Sequence, residues 1–264
     1  MKNLNQYFIN ASESCREFGL LTKHYSFSEK ENPTELYTVT TLHLCKQHSK
    51  AISILLENKL YIDVLAISRN IMELFFNLEW IKDSSKNSEK AKKVFQLEGT
   101  AFSSMEKGIK MMEEDANKDK LVWQEGMYKE NKETFELVKK IYSHLIKKNK
   151  KDNLVFMEAP PFDKRMNPLY KLKFYNMYRD LSTFIHPSPL LREFTLLRGD
   201  SENTPLQIIE KHYPNLLENV LFFIYGILEN SHKLLSEKMP EKESEIQSIN
   251  LSYFKKINEI SNKF

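Results

Sequence analysis

Glycine and proline are scarce in this 264-residue chain, with 6 and 9 copies. A many-stranded fold needs frequent tight turns, so their scarcity argues against a sandwich or barrel. Only two cysteines are present, Cys15 and Cys45, in separate amphipathic segments without partners at metal-ligand spacing. That pattern argues against a disulfide scaffold or zinc module and favours two reduced, buried thiols. No run of about 20 apolar residues is free of charge. In "NLLENVLFFIYGILENSHKLL" the apolar core spans only Val220 to Leu228, which predicts a buried helix rather than a bilayer crossing. The start, "MKNLNQYFINASESC", lacks the apolar core of a signal peptide, and the expected location is the cytosol. Large excess charge is also missing: the formal net charge is +3, too small for a nucleic-acid coat. Lys139, Lys140, Lys147, Lys148, Lys150 and Lys151 make one basic end, which reads most simply as a solvated helix face.

What is abundant is helical. The chain is 41% hydrophobic, enough for a substantial core. Leu4, Phe8, Ala11, Cys15, Phe18 and Leu21 recur at three- and four-residue steps, predicting a first helix to about His24. Pro33 opens a second, to about Asn58, with Thr34 and Glu35 in its first turn. A third, from about Tyr61 to Asp83, is apolar nearly all round and therefore central. Further helices are expected over Ser88–Glu114, about Leu121–Lys148, Leu169–Ile185, from Pro214 to about Lys238, and about Glu241–Asn262. Leu172, Tyr175, Met177 or Tyr178, Leu181 and Ile185 are the apolar positions of the sixth. Pro160 and Pro161 mark "KDNLVFMEAPPFDKRMNP" as a surface loop, and residues 187–213 are left irregular. The expected architecture is all-α: a bundle of seven to eight helices in a single domain over 1–264, without repeats or linkers.

Two features carry possible chemistry. In "YRDLSTFIHPSP", Arg179 and His186 are seven residues apart, so at about 100° per residue they share one helical face, with Ser182 between them. Pro187 ends the helix and leaves His186 at its C-terminus, where the dipole favours protonation and the imidazole titrates near neutrality. Arg179 offers a planar fork suited to phosphate oxygens. Such a pair can cleave a phosphodiester. One group handles the proton of a ribose 2′-hydroxyl or the leaving 5′-oxygen, and the cation stabilises the phosphorane-like transition state. DNA lacks the internal nucleophile. In helix three, Arg69, Glu73 and Trp80 fall on one stripe with Asn77 at its edge. Charges on so apolar a helix should pair, Arg69 with Glu73, as a structural ion pair or as part of the site's lining. A capping histidine beside a surface arginine is the bland reading of Arg179 and His186.

"LAISRNIMELFFNLEWI" (Leu65 to Ile81), followed about 100 residues later by "YRDLSTFIHPSP", resembles a bacterial family of helical proteins of uncharacterised function with Arg-x3-Glu and Ser-x3-His-Pro motifs. That family is similar to the HEPN superfamily, whose ribonucleases carry Arg-x4-6-His, often with a polar residue directly after the Arg. Arg179, Asp180 and His186 fit that pattern, and the likeness covers roughly residues 35 to 235. The resemblance implies a HEPN-like core with N- and C-terminal helical additions, usually a homodimer whose facing Arg/His sets cut RNA without a metal. It also implies a setting in toxin-antitoxin or antiviral systems, with an antitoxin or another protein as partner.

The leading expectation is thus a metal-independent endoribonuclease without cofactor. Arg179 and His186 would be catalytic, Asp180 and Ser182 orienting, and Arg69, Glu73 and Asn77 supporting. A non-catalytic helical module that binds nucleotide, RNA or protein through the same cleft is the alternative. Metal-dependent hydrolysis fits poorly, because His43 and His48, five apart, diverge by about 140° on a helix. Phe75, Phe76, Phe222 and Phe223 are expected in the core. The Met-rich "SSMEKGIKMMEED" reads as gap-filling core or a subunit interface.

Overall fold

The structure, a computed structural model, describes residues 2–119, 122–149, 154–183 and 215–261. Among them are nine α-helices and one two-stranded ribbon. In chain order they are α1 (Lys2–Leu21), α2 (Pro33–Glu57), α3 (Tyr61–Lys82), α4 (Asn87–Asp119), α5 (Val122–Ile141), β1 (Ile146–Lys148), β2 (Leu154–Phe156), α6 (Phe162–Arg165), α7 (Pro168–Thr183), α8 (Leu216–Leu235) and α9 (Glu243–Ser261). The protein is all-α, as its sparse glycine and proline require. None of the described helices is long and apolar enough to cross a membrane.

The chain divides into two compact units. The first comprises residues 1–28, 34–83 and 162–264, and the second residues 29–33 and 84–161. In the first unit, α8 lies at the centre and packs on α1, α3 and α9, while α3 also takes α6 and α7. Most of the circumference of α3 is buried. Val64, Leu65, Ile71, Met72, Phe76, Leu78 and Ile81 are completely buried. Phe75, Phe76, Tyr170, Phe174 and Phe223 form a continuous aromatic cluster between α3, α7 and α8. Phe75 needs Gly226 opposite it, because its ring occupies the space a β-carbon would fill. The link from α2 to α3 is a Schellman turn. Lys59 takes φ 58°, its amide donates to the Leu56 carbonyl and that of Leu60 to the Leu55 carbonyl, at 3.2 and 2.9 Å. Cys15 and Cys45 are free and buried, with adjoining thiols and that of Cys15 pushed well up, first by the hydrogen bond with Cys45 and then by burial.

The second unit is the helix pair α4–α5 closed by the ribbon, in which Ile146 faces Phe156 and Lys148 faces Leu154. Phe135, Leu145 and Phe156 are its buried centre, with Phe95, Phe102 and Tyr142 packed around them. Glu158 accepts hydrogen bonds from Ser103 and, at 2.9 Å, from Lys107, fastening the chain after β2 to α4.

Several expectations change. The fifth helix ends at Ile141, not near Lys148, and Ile146–Lys148 turns into a strand. Leu145 and Phe156 are buried by that turn, an apolar gain that a continued helix would forgo. The supposed surface loop before α7 contains β2 and α6. Helix four runs through its polar junction to Asp119. On α7, Leu172 is 89% exposed and Phe174 is buried in its place. Phe222 is 38% exposed, unlike Phe75, Phe76 and Phe223.

Candidate functional site

The spacing of Arg69, Glu73 and Asn77 at four-residue steps puts all three on one face of α3. Arg69 Nη1 pairs with Glu73 Oε2 at 3.1 Å. Three other elements meet this stripe. From α6, Arg165 donates through Nη1 to the Asn77 side-chain oxygen, and its Nη2 lies 3.9 Å from Glu73 Oε1. Asn77 Nδ2 donates to the Tyr37 hydroxyl of α2 at 3.2 Å. From α7, the Tyr178 hydroxyl accepts a 2.6 Å hydrogen bond from Arg69 Nη2. Aromatic rings sheath the cations: Phe162 stacks on Tyr178 with centroids 3.8 Å apart. The Arg69 guanidinium lies 4.9 Å from the Tyr178 centroid and that of Arg165 5.1 Å from the Phe162 centroid, within the range where a cation gains from a π-face.

Two guanidinium groups therefore share one carboxylate. Burial lowers the Arg165 pKa from its usual value, opposed by attraction to Glu73. Burial likewise raises the Tyr178 phenol, with the Glu73 charge acting in the same sense, so the hydroxyl stays protonated at neutral pH. The Nε atoms of Arg69 and Arg165 are buried and have no hydrogen-bond partner among the described residues.

Arg69, Glu73 and Asn77 are thus brought together, with Arg165, Tyr178, Tyr37 and Phe162 added by the fold. Arg179 and Asp180 follow Tyr178 on α7 and are exposed. No described residue forms an ion pair with Arg179. The Ser182 hydroxyl donates to the Tyr178 carbonyl at 2.8 Å, a bond within its own helix rather than to the site. His186 lies outside the described residues. No group of three or more histidine, cysteine or acidic side chains among the described residues is placed to hold a metal ion.

Arg165 escaped the sequence reading because "FDKRMNP" has no periodicity to give it a direction; its partners are 88 and 92 positions away on α3. Tyr178 stood inside the motif, but the helical period assigns it equally well to core.

The chain belongs to the DUF5677 family, a family of unknown function, whose model matches residues 36–203. The stripe on α3, Arg165 and the segment from Tyr178 to Pro189 all fall within the match. No curated protein and no solved structure matches the chain.

Proposed function

We propose that the chain is a metal-independent endoribonuclease of HEPN type, with Arg179 stabilising charge on the phosphoryl group and His186 moving the proton of the 2′-hydroxyl or of the leaving 5′-oxygen. The observation that supports this reading is the state of α7. The helix is fastened at Tyr178 to Arg69, while Arg179, the next residue, is exposed and has no described counter-ion. A cation held on an anchored helix and left open to solvent suits an incoming phosphate. The Arg179-x6-His186 spacing supplies the second group. Asp180, exposed beside Arg179, orients the pair, and the cluster around Arg69, Glu73 and Asn77 supports it. The active form is a cytoplasmic homodimer in a toxin-antitoxin or antiviral setting, with an antitoxin or other protein partner. Leu169 and Leu172, 79% and 89% exposed one turn apart on α7, offer apolar surface for a second subunit.

The test is incubation of purified protein with single-stranded and hairpin RNA in EDTA. Cleavage leaving 2′,3′-cyclic phosphate ends is expected, with loss of at least about 100-fold in rate for Arg179→Ala and for His186→Ala. Cleavage that survives both substitutions would overturn the assignment.

The second reading, a module that binds RNA, nucleotide or protein without turnover, draws support from the surplus positive charge of the Arg69–Arg165 cluster, which can hold an anion without chemistry. Saturable RNA binding without product, abolished by Arg179→Ala, would favour it.

A further inference from the structure

The balance of charge and hydrogen bonds around Arg165 is incomplete from the protein's side. Arg69 and Arg165 contribute two positive charges and Glu73 one negative. Among the described residues the carboxylate that pairs with Arg165 is that of Glu73. The deficit is local to half-buried groups: the side chains of Arg69, Glu73 and Arg165 are 25%, 30% and 11% exposed.

The donors show where a ligand would sit. A guanidinium grips an oxyanion bidentately through two N–H groups on one edge, and the Nε–Nη2 edge is one such fork. On Arg165 the remaining nitrogen, Nη1, is occupied by Asn77. Its Nη2 is 3.9 Å from the Glu73 carboxylate, beyond hydrogen-bond reach, and its Nε has no partner among the described residues. Arg69 repeats the pattern at Nε. Its Nη2 is spent on Tyr178, whose hydroxyl accepts that bond and keeps its own proton to donate. Buried donors without partners are costly and uncommon in folded proteins. A carboxylate has two oxygens and already sits there as Glu73. A tetrahedral phosphate presents more oxygens and a larger charge, enough for both guanidinium edges and the phenol together.

We propose that Arg165, Arg69 and Tyr178 form a phosphate-binding site at the meeting of α3, α6 and α7, taking a phosphomonoester or a phosphodiester oxyanion in competition with Glu73. The proposal goes beyond the ribonuclease reading and does not depend on turnover. Glu73 is the site's own counter-ion, 3.1 Å from Arg69 and 3.9 Å from Arg165, and an anion entering past the partly exposed Arg69 and Glu73 competes with it for both guanidinium groups.

The competition provides the test. Full-length protein is melted in inorganic phosphate and in sodium chloride of equal ionic strength, each variant being compared with its own chloride control. Phosphate is expected to raise the wild-type midpoint by about 3 °C or more at saturation. Glu73→Gln removes the competitor and should lower the phosphate concentration needed for half the effect by about tenfold, an improvement that damage to the fold cannot produce. Arg165→Gln should lose the phosphate effect, and Arg165→Lys, which keeps the charge but not the fork, should require about tenfold more phosphate. A non-cleavable 2′-O-methyl tetranucleotide acting at lower concentration than phosphate, through Arg165, supports a strand phosphodiester as occupant. An effect confined to inorganic phosphate supports a monoester. Equal midpoints in phosphate and chloride, an undiminished effect in Arg165→Gln, or no gain in Glu73→Gln would each overturn the site. Absence of RNA cleavage by the wild type would count only against the ribonuclease reading.

Discussion

The Tyr178 hydroxyl lies 2.6 Å from Arg69 Nη2, joining two residues 109 positions apart and fixing α7 against α3. A hydrogen bond from a charged donor is worth about 1.5–3 kcal/mol when lost. The site is part-buried, so the low end applies. Tyr178→Phe keeps the stacking on Phe162 and should lower stability by about 1.5 kcal/mol, seen as a reduced urea midpoint at unchanged slope. A double-mutant cycle with Arg69→Met should show coupling of about 1 kcal/mol, and a coupling of zero would remove the hydrogen bond's role in holding α7.

Arg179 gives the contrasting expectation. Because it is exposed without a described partner, Arg179→Ala should move folding stability by no more than about 0.5 kcal/mol. Any loss of RNA cleavage or binding in that variant is then a local chemical effect. A drop in thermal midpoint comparable with that of Tyr178→Phe would show that Arg179 is part of the packing.

In the second unit, burial, reinforced by the Glu29 carboxylate, pushes Glu98 up to about 7. Its unfolded value is about 4.3. The folded form binds the proton more tightly, so the stabilisation is complete below the unfolded value and is lost as pH rises towards and through about 7. Glu98→Gln should therefore be more stable than wild type at pH 8, by about 1 kcal/mol after allowance for partial exposure. The advantage should vanish near pH 4, as followed by thermal denaturation across that range. A pH-independent difference would mean that Glu98 titrates normally.

Gly99 on α4 runs against the backbone of Met157, whose carbonyl oxygen lies where a β-carbon would be placed. Alanine normally improves a helix interior by about 1 kcal/mol. Here the neighbour is main chain and cannot rotate away, so Gly99→Ala should instead cost about 2–3 kcal/mol and loosen the ribbon. Amide exchange at Met157, whose N–H donates to the Leu145 carbonyl at 2.8 Å, should accelerate. Gly108, with nothing near its β-position, is the matched control and should gain stability as alanine.

The helices were legible where one periodic face meets one core. Phe8, Ala11, Cys15 and Phe18 are buried at the steps their spacing set, and α3 is largely interior because apolar residues cover most of its circumference. The Arg69–Glu73 pair was legible because its partners are one turn apart. The sequence could not show Leu145 and Phe156 closing a ribbon, since the pairing depends on contacts across a turn and not on local propensity. Leu172 was misplaced because Leu172, Phe174 and Tyr175 offer competing apolar faces, and the choice between them is made by Phe76 and Phe223, which receive Phe174. Arg165 belongs to the site only through residues brought from α3. Long-range convergence of this kind leaves no trace in spacing.

Tyr178 and Arg179 are consecutive, so helical geometry turns the first inward as a fastener and the second outward. An exchange at the outward position therefore leaves the joint beneath it intact. Among relatives, the phenol and its guanidinium should therefore change together or not at all.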